Sequence, residues 1–355
     1  MLIKKFVLNY FLQKKNHKPI EINKIKKILF IRNARIGDAV CSFPLLRELS
    51  INFPEVEIDV YAGYHSNFLF EKLPYCKNIF TKFRKKHFYK TLFQLIKMRL
   101  KKYDLIIEAM PMKFGLEFSV WFINSKWIIS FGKDSGDQKI GLYREDLTFY
   151  DYLKQYNCNE HMVEHLSGFL PYLGINNYSI KMEFPYDEEK FIKAKEFVLK
   201  LNTKNPIITI NVDSSSPSRN LYKKQIIQIA NALKNYTIII LSLPSRQKEM
   251  MDIIKKENLL NCVLSYETKT IFDVAEIIRV SNLLISPDTS LIHIASAIDI
   301  PTIGIYRNDL EHINLWAPRS RINYIVKSSN KDFNSIEGFD INEIVNHVNV
   351  VLCNK

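Results

Sequence analysis

The sequence predicts an α/β protein of two doubly wound domains facing a ligand cleft, and three observations carry that prediction. Apolar strand-like runs alternate with helical patterns in two successive series, one on each side of residue 180. Polar turns follow several of these runs, where an open parallel sheet places its ligands. At 355 residues, 47% hydrophobic and 25% charged, the chain has ordinary globular composition and exceeds what one core usually serves.

The first series opens with Ile28, Leu29, Phe30 and Ile31 as a short strand, then a polar loop ending Ile36-Gly37-Asp38, then a helical pattern through Leu45, Leu46 and Leu49. Further buried-strand candidates are Ile58 to Ala62, Leu105 to Glu108 and Trp127 to Phe131. A polar, aromatic stretch from Asp134 to Tyr178 holds a helical segment near His161 to Leu173 that stops at Gly174. The second series has strands at Ile207 to Val212, Thr237 to Leu243, Leu283 to Ser286 and Thr302 to Tyr306. Neither series carries a G-x-G-x-x-G fingerprint, and two Rossmann-like halves are expected, with ligands at the carboxyl ends of their strands. The expected division is a basic amphipathic segment over 1–20, a first domain over 21–180, a second over 181–335, and a terminal helix within 336–355 that packs back on the first domain.

The 50 Lys and Arg against 37 Asp and Glu give a formal charge of +13, which calls for an anionic partner: nucleic acid, a phosphorylated lipid or an acidic membrane. Five scattered cysteines without a C-x-x-C pair support neither a disulfide framework nor a zinc site. The N-terminus has lysines within its apolar stretch and no small-residue cleavage site, so it does not read as a secretory signal. No stretch offers the ~20 uninterrupted apolar residues that span a bilayer.

Two turns are candidates for chemistry. Residues 31–38 leave the first strand and place the Asp38 carboxylate directly after Gly37. Asp at that point is either a helix cap or a free carboxylate. Pro44 would break a helix begun at Asp38, unless the first turns are irregular or the regular helix starts later. In the second half, Pro287-Asp288-Thr289-Ser290 joins a strand to a helix. Such a start aims free N–H groups and the positive end of the dipole at one point, and two hydroxyls add donors, which suits a diphosphate or simply caps the helix. His293, one turn further in, is either packed or substrate-contacting. Arg219, in the polar loop 211–220, is either a solvated cation or a fork that bridges phosphates.

Ile31-Arg32 through Gly37-Asp38, together with Pro287-Asp288-Thr289, His293 and Ala295, resembles the paired signature of glycosyltransferase family 9, the heptosyltransferases of lipopolysaccharide core synthesis. The resemblance covers roughly residues 25–320. It implies a GT-B fold and an inverting transfer, without metal or cofactor, from a nucleotide sugar such as ADP-heptose to an anionic glycolipid acceptor. By position it makes Asp38 the catalytic base and Arg32, Arg35 and Gly37 candidates for the acceptor or phosphate side. Arg219 stands where the family usually has a phosphate-binding Lys, and Asp288, Thr289, Ser290 and His293 fall on the donor side. The chain departs from the family at Ser290, usually Gly, at Arg219 to Tyr222, and over Leu241 to Gln247, which leaves the donor less determined than the reaction.

Residues Thr81 to Lys102 hold nine Lys or Arg among aromatic and aliphatic side chains, a composition that fits helices lying on anionic lipid. Lys82, Arg84, Lys85, Lys86 and Lys90 are the membrane-surface candidates, and residues 1–15 repeat the theme. The ordinary alternative is a core-facing helix with a solvated basic face. The reading is therefore a cytoplasmic enzyme peripheral on the inner face of the membrane, with no nucleic acid expected. Its rivals are a GT-B transferase with another nucleotide sugar or a protein acceptor, and a non-catalytic binder of nucleic acid or lipid.

Overall fold

The computed structural model describes residues 6, 19–132, 143–147, 149–155, 157–329 and 335–353. The basic segment 1–20 therefore lies, apart from Phe6 and residues 19–20, outside the described residues. The chain divides into two units, 1–181 and 182–355.

The first unit runs β1 (Lys27–Arg32), α1 (Ile36–Val40), α2 (Phe43–Asn52), β2 (Glu57–Gly63), β3 (Asn78–Lys82), α3 (Phe88–Lys101), β4 (Tyr103–Glu108), α4 (Phe114–Ile123), β5 (Ser125–Phe131) and β6 (Tyr152–Lys154). Its six strands pair in parallel in the order β3-β2-β1-β4-β5-β6. Helices cover both faces of such a sheet, so β1 and β4 are apolar almost without interruption. Leu29, Ile31 and Ile106 are fully buried in one core cluster with Val120 and Tyr61. Each such side chain contributes about 1.5–3 kcal/mol.

The second unit runs β7 (Ile207–Asn211), α5 (Lys223–Ala232), β8 (Thr237–Leu241), β9 (Cys262–Leu264), β10 (Leu283–Pro287), α6 (Ser290–Ile298), β11 (Thr302–Tyr306), α7 (Leu310–Trp316), β12 (Asn323–Lys327) and α8 (Ile341–Cys353). Its order, β12-β11-β10-β7-β8-β9, again parallel, repeats the first sheet's pattern. The two doubly wound sheets bear out the expected fold. In each, strand order reverses at one place, between β1 and β4 and between β7 and β10, where a crevice opens at the carboxyl ends.

Four strands were not expected: β3, β6, β9 and β12. All four are edge strands and carry partly exposed residues, so their apolar signal is weak. The basic stretch is accordingly not all helix, because Thr81 and Lys82 close β3 and only Phe88–Lys101 is α3. The terminal helix α8, expected to return to the first domain, is claimed by its own unit's core. Ile344, Val348 and Val351 line one face and pack with Ile226 and Ile229.

Candidate active site

Pro44 explains the first turn. The chain makes a five-residue helix, α1, breaks at Cys41 and Ser42, and starts again as α2 with Pro44 in its first turn. A missing N–H costs nothing there.

Asp38, in the third position of α1, uses both oxygens. Oδ2 accepts the Arg35 backbone N–H at 3.3 Å, which is the capping role, while Oδ1 accepts from the Arg32 guanidinium at 3.1 Å. Arg32 is 3% exposed, and its other terminal nitrogen donates to the Ala109 carbonyl just beyond β4. Arg32 is thus a support beneath Asp38 rather than an outward-facing cation. Asp38 keeps a quarter of its side-chain surface open, at 26%. Gly37 is buried in the same turn, and Arg35 is exposed beside it.

Behind this turn lies a buried polar cluster absent from the sequence reading. Glu108 ends β4, paired in register with Ile31. Its Oε1 accepts from Arg144 Nη2 at 2.6 Å, and the same nitrogen reaches Glu117 at 3.0 Å and the Met110 carbonyl at 3.1 Å. The Tyr150 hydroxyl bridges both carboxylates. Burial pushes the Glu108 carboxyl up to about 8 despite the pull of Arg144, and Glu117 adds repulsion. No local pattern joins residues this far apart in sequence, so no signal existed to find them.

In the second unit, Asp288 leaves β10 with 8% exposure, and its Oδ2 takes two donors. Arg219 Nη1 and His312 Nε2 each lie 2.7 Å from it. Burial opposes ionisation of Asp288, but the hydrogen bond and charge of His312, the charge of Arg219 and that of nearby His293 hold its carboxyl below the usual range. Thr289 caps α6, and Asn211 at the end of β7 bonds the Ser286 hydroxyl at 2.9 Å and that of Thr289 at 3.3 Å. Thr289 and Ser290 remain partly open at the helix start. His293 is 4% exposed and edge-on to Trp316, with centroids 5.6 Å apart.

Asp213 joins two loops at the same end of the sheet. Its carboxylate pairs with Arg246 and accepts the Leu243 N–H at 2.6 Å. Asn211, Asp213, Arg246 and His312 were missed by sequence reasoning. Asn211 and Asp213 stand in the polar loop already singled out, and Asp309, three residues before His312, is a cap-type residue after a strand. Among the described residues, no group of three or more His, Cys, Asp or Glu is arranged to hold a metal ion.

The membrane-surface candidates divide. Lys82 is half-buried at the end of β3, and burial, then the charge of Lys113, lowers its pKa, so it does not stand on an open face. Arg84, Lys86 and Lys90 are exposed, and Arg84 lies over the Tyr64 ring at 4.7 Å. The side chain of Lys85 lies outside the described residues. Helix α3 presents Phe88, Tyr89 and Phe93 to solvent at 66%, 64% and 57% exposure, while Leu95 and Met98 face inward. No helix among the described residues is long and apolar enough to cross a membrane.

The sequence pattern of glycosyltransferase family 9 (heptosyltransferase) matches residues 93–338. A lipopolysaccharide core heptosyltransferase of Haemophilus influenzae, OpsX, is 22% identical over 296 residues, 81% of each chain. Among solved structures, a family 9 glycosyltransferase from Veillonella parvula superposes with a TM-score of 0.76 at 14% identity, over 93% of this chain and 98% of that one. The E. coli heptosyltransferase WaaC with ADP gives 0.66 at 12%, over 93% of this chain and 100% of that one. At these identities the structural likeness speaks for the fold.

Proposed function

This chain belongs to glycosyltransferase family 9, and from that premise we propose that it moves a sugar, with inversion, from a nucleotide sugar to a lipopolysaccharide core acceptor. ADP-heptose is the first donor to consider, since the matched E. coli enzyme is described with ADP and the curated relative is a core heptosyltransferase. The observation that carries the donor half is Asp288, set between Arg219 and His312 at the strand-order reversal of the second sheet.

In this reaction the acceptor hydroxyl oxygen attacks the anomeric carbon, its bond to the diphosphate breaks, and the nucleoside diphosphate leaves with the electron pair. Asp38 takes the hydroxyl proton, a role supported by its partly open carboxylate and the Arg32 support beneath it. Arg219 and the start of α6 at Thr289 and Ser290 stabilise the charge that gathers on the diphosphate. Fixed protein cations of this kind serve where other transferases use a metal, so no metal is required in this proposal.

The enzyme docks on the cytoplasmic face of the membrane through the aromatic side of α3 and the neighbouring Arg84, Lys86 and Lys90, where a lipid-linked acceptor is presented.

Thermal unfolding with a panel of nucleotide sugars, ADP-heptose first, tests the donor, and labelled-sugar transfer to purified core acceptors tests the reaction. A bound donor at a hundred times its Kd stabilises by about 2.7 kcal/mol. A panel in which no nucleotide sugar shifts the transition and no sugar is transferred would overturn the proposal.

A further inference from the structure

We infer that His312 is a donor-contacting residue that gives its second ring nitrogen to the diphosphate of the nucleotide, alongside Arg219. This rests on the donor-side reading above and names a contact that the paired sequence signature does not include.

The geometry is specific. His312 sits in the first turn of α7, where the Asp309 side chain accepts its backbone N–H at 3.0 Å and so fixes its position after β11. Its Nε2 is 2.7 Å from Asp288 Oδ2, the same oxygen that takes Arg219. The Nε2 hydrogen bond to Asp288 orients the ring, and in the proposed complex Nδ1–H donates to a phosphate oxygen, so both ring nitrogens carry hydrogen there. No described residue takes Nδ1, and the His312 side chain is 24% exposed beside a carboxylate that is only 9% exposed. The buried partner is thus Asp288, and the imidazole stands outside it with one nitrogen available.

Charge completes the argument. Charged groups beside the ring include Asp288, Arg219 and, at its own helix start, Asp309, which is itself paired with Arg307 at 3.0 Å, and His293 also acts on Asp288. One carboxylate, Asp288, is shared by two donors, and the positive end of α6 begins at the next residues. That arrangement suits a dianionic diphosphate better than a neutral sugar.

Two substitutions separate holding Asp288 from meeting the ligand. A glutamine amide replaces Nε2 and keeps a donor toward Asp288, but supplies nothing at Nδ1. An asparagine amide replaces Nδ1 and abandons Asp288. Calorimetric titration of the full chain with ADP, AMP and adenosine, for wild type, His312→Gln and His312→Asn, reads the difference. The expected result is an unchanged unfolding midpoint for His312→Gln with a roughly 10- to 100-fold weaker ADP affinity, the loss of one charge-assisted contact. AMP should lose less and adenosine nothing, while His312→Asn should retain more ADP affinity than His312→Gln. If His312→Gln binds ADP as wild type does, or loses ADP and adenosine equally, the inference is wrong although the donor reading stands. A wild-type chain that binds no nucleoside diphosphate, with UDP, GDP and CDP also tried, overturns both.

Discussion

Arg32 and Asp38, six residues apart, pair at 3.1 Å across the first strand-to-helix turn, and the Ala109 carbonyl beyond β4 holds the arginine from behind. The support therefore runs from the centre of the first sheet to the carboxylate proposed as the base. A carboxylate held this way needs no search for its working position, which is what positioning contributes to catalysis.

Asp38→Asn should lower the turnover of sugar transfer by about 10²–10⁴ while leaving donor affinity near its original value. The amide keeps the shape and the capping contact but cannot take a proton. Transfer kinetics and donor titration measured on the same preparation decide it, and near-normal turnover removes Asp38 from the mechanism.

Arg219→Ala should weaken binding of a nucleoside diphosphate roughly 10- to 100-fold, because one charge-assisted phosphate contact is lost. Asp288→Ala should weaken it as well, by releasing the two donors that share its oxygen. Unchanged affinity in both variants would put the donor elsewhere than the start of α6.

Glu108 gives a pH dependence whose sign follows from its raised pKa. Between its ordinary value of 4.5 and about 8 the folded chain holds a proton on Glu108 that the unfolded chain has released. Stability should therefore fall as pH rises through that window, by at most about 1.4 kcal/mol per pH unit, and level off above it. Denaturant unfolding across the window is the measurement. Glu108→Gln, which is neutral throughout, should show a flatter profile; the same slope in both proteins would exclude Glu108 as its source.

Replacing Arg84, Lys86 and Lys90 together by Gln should lower affinity for anionic vesicles by roughly 10²-fold, at ~1 kcal/mol for each charge near the surface. Replacing Phe88 and Phe93 by Ser should reduce binding further, since both rings stand open on α3. Co-sedimentation with anionic and neutral vesicles, repeated at high salt, reads both effects. Wild-type protein that ignores anionic vesicles and retains nucleic acid would reverse the choice of partner.

The sequence by itself determined the two doubly wound halves, because buried parallel strands are written as apolar runs and a helical pattern follows each within a few residues. It also located Asp38, Arg219 and the Asp288 turn, since each lies where a strand gives way to a loop or helix, and such turns carry a local signature. The short strands at β3, β6, β9 and β12 were not legible, because half-open positions are not written in apolar residues. The pairing of Arg32 beneath Asp38, the capture of α8 by its own core, and the removal of Lys82 from the open basic face were decided only by tertiary structure. So were the meeting of Arg219 and His312 on one oxygen of Asp288 and the closing of Arg144 on Glu108 and Glu117. For the pairs distant in sequence the physical reason is the same. Periodicity and capping act over a few residues and leave a trace in the sequence, whereas a contact between residues 69 or 36 positions apart exists only once the sheet has brought their strands side by side.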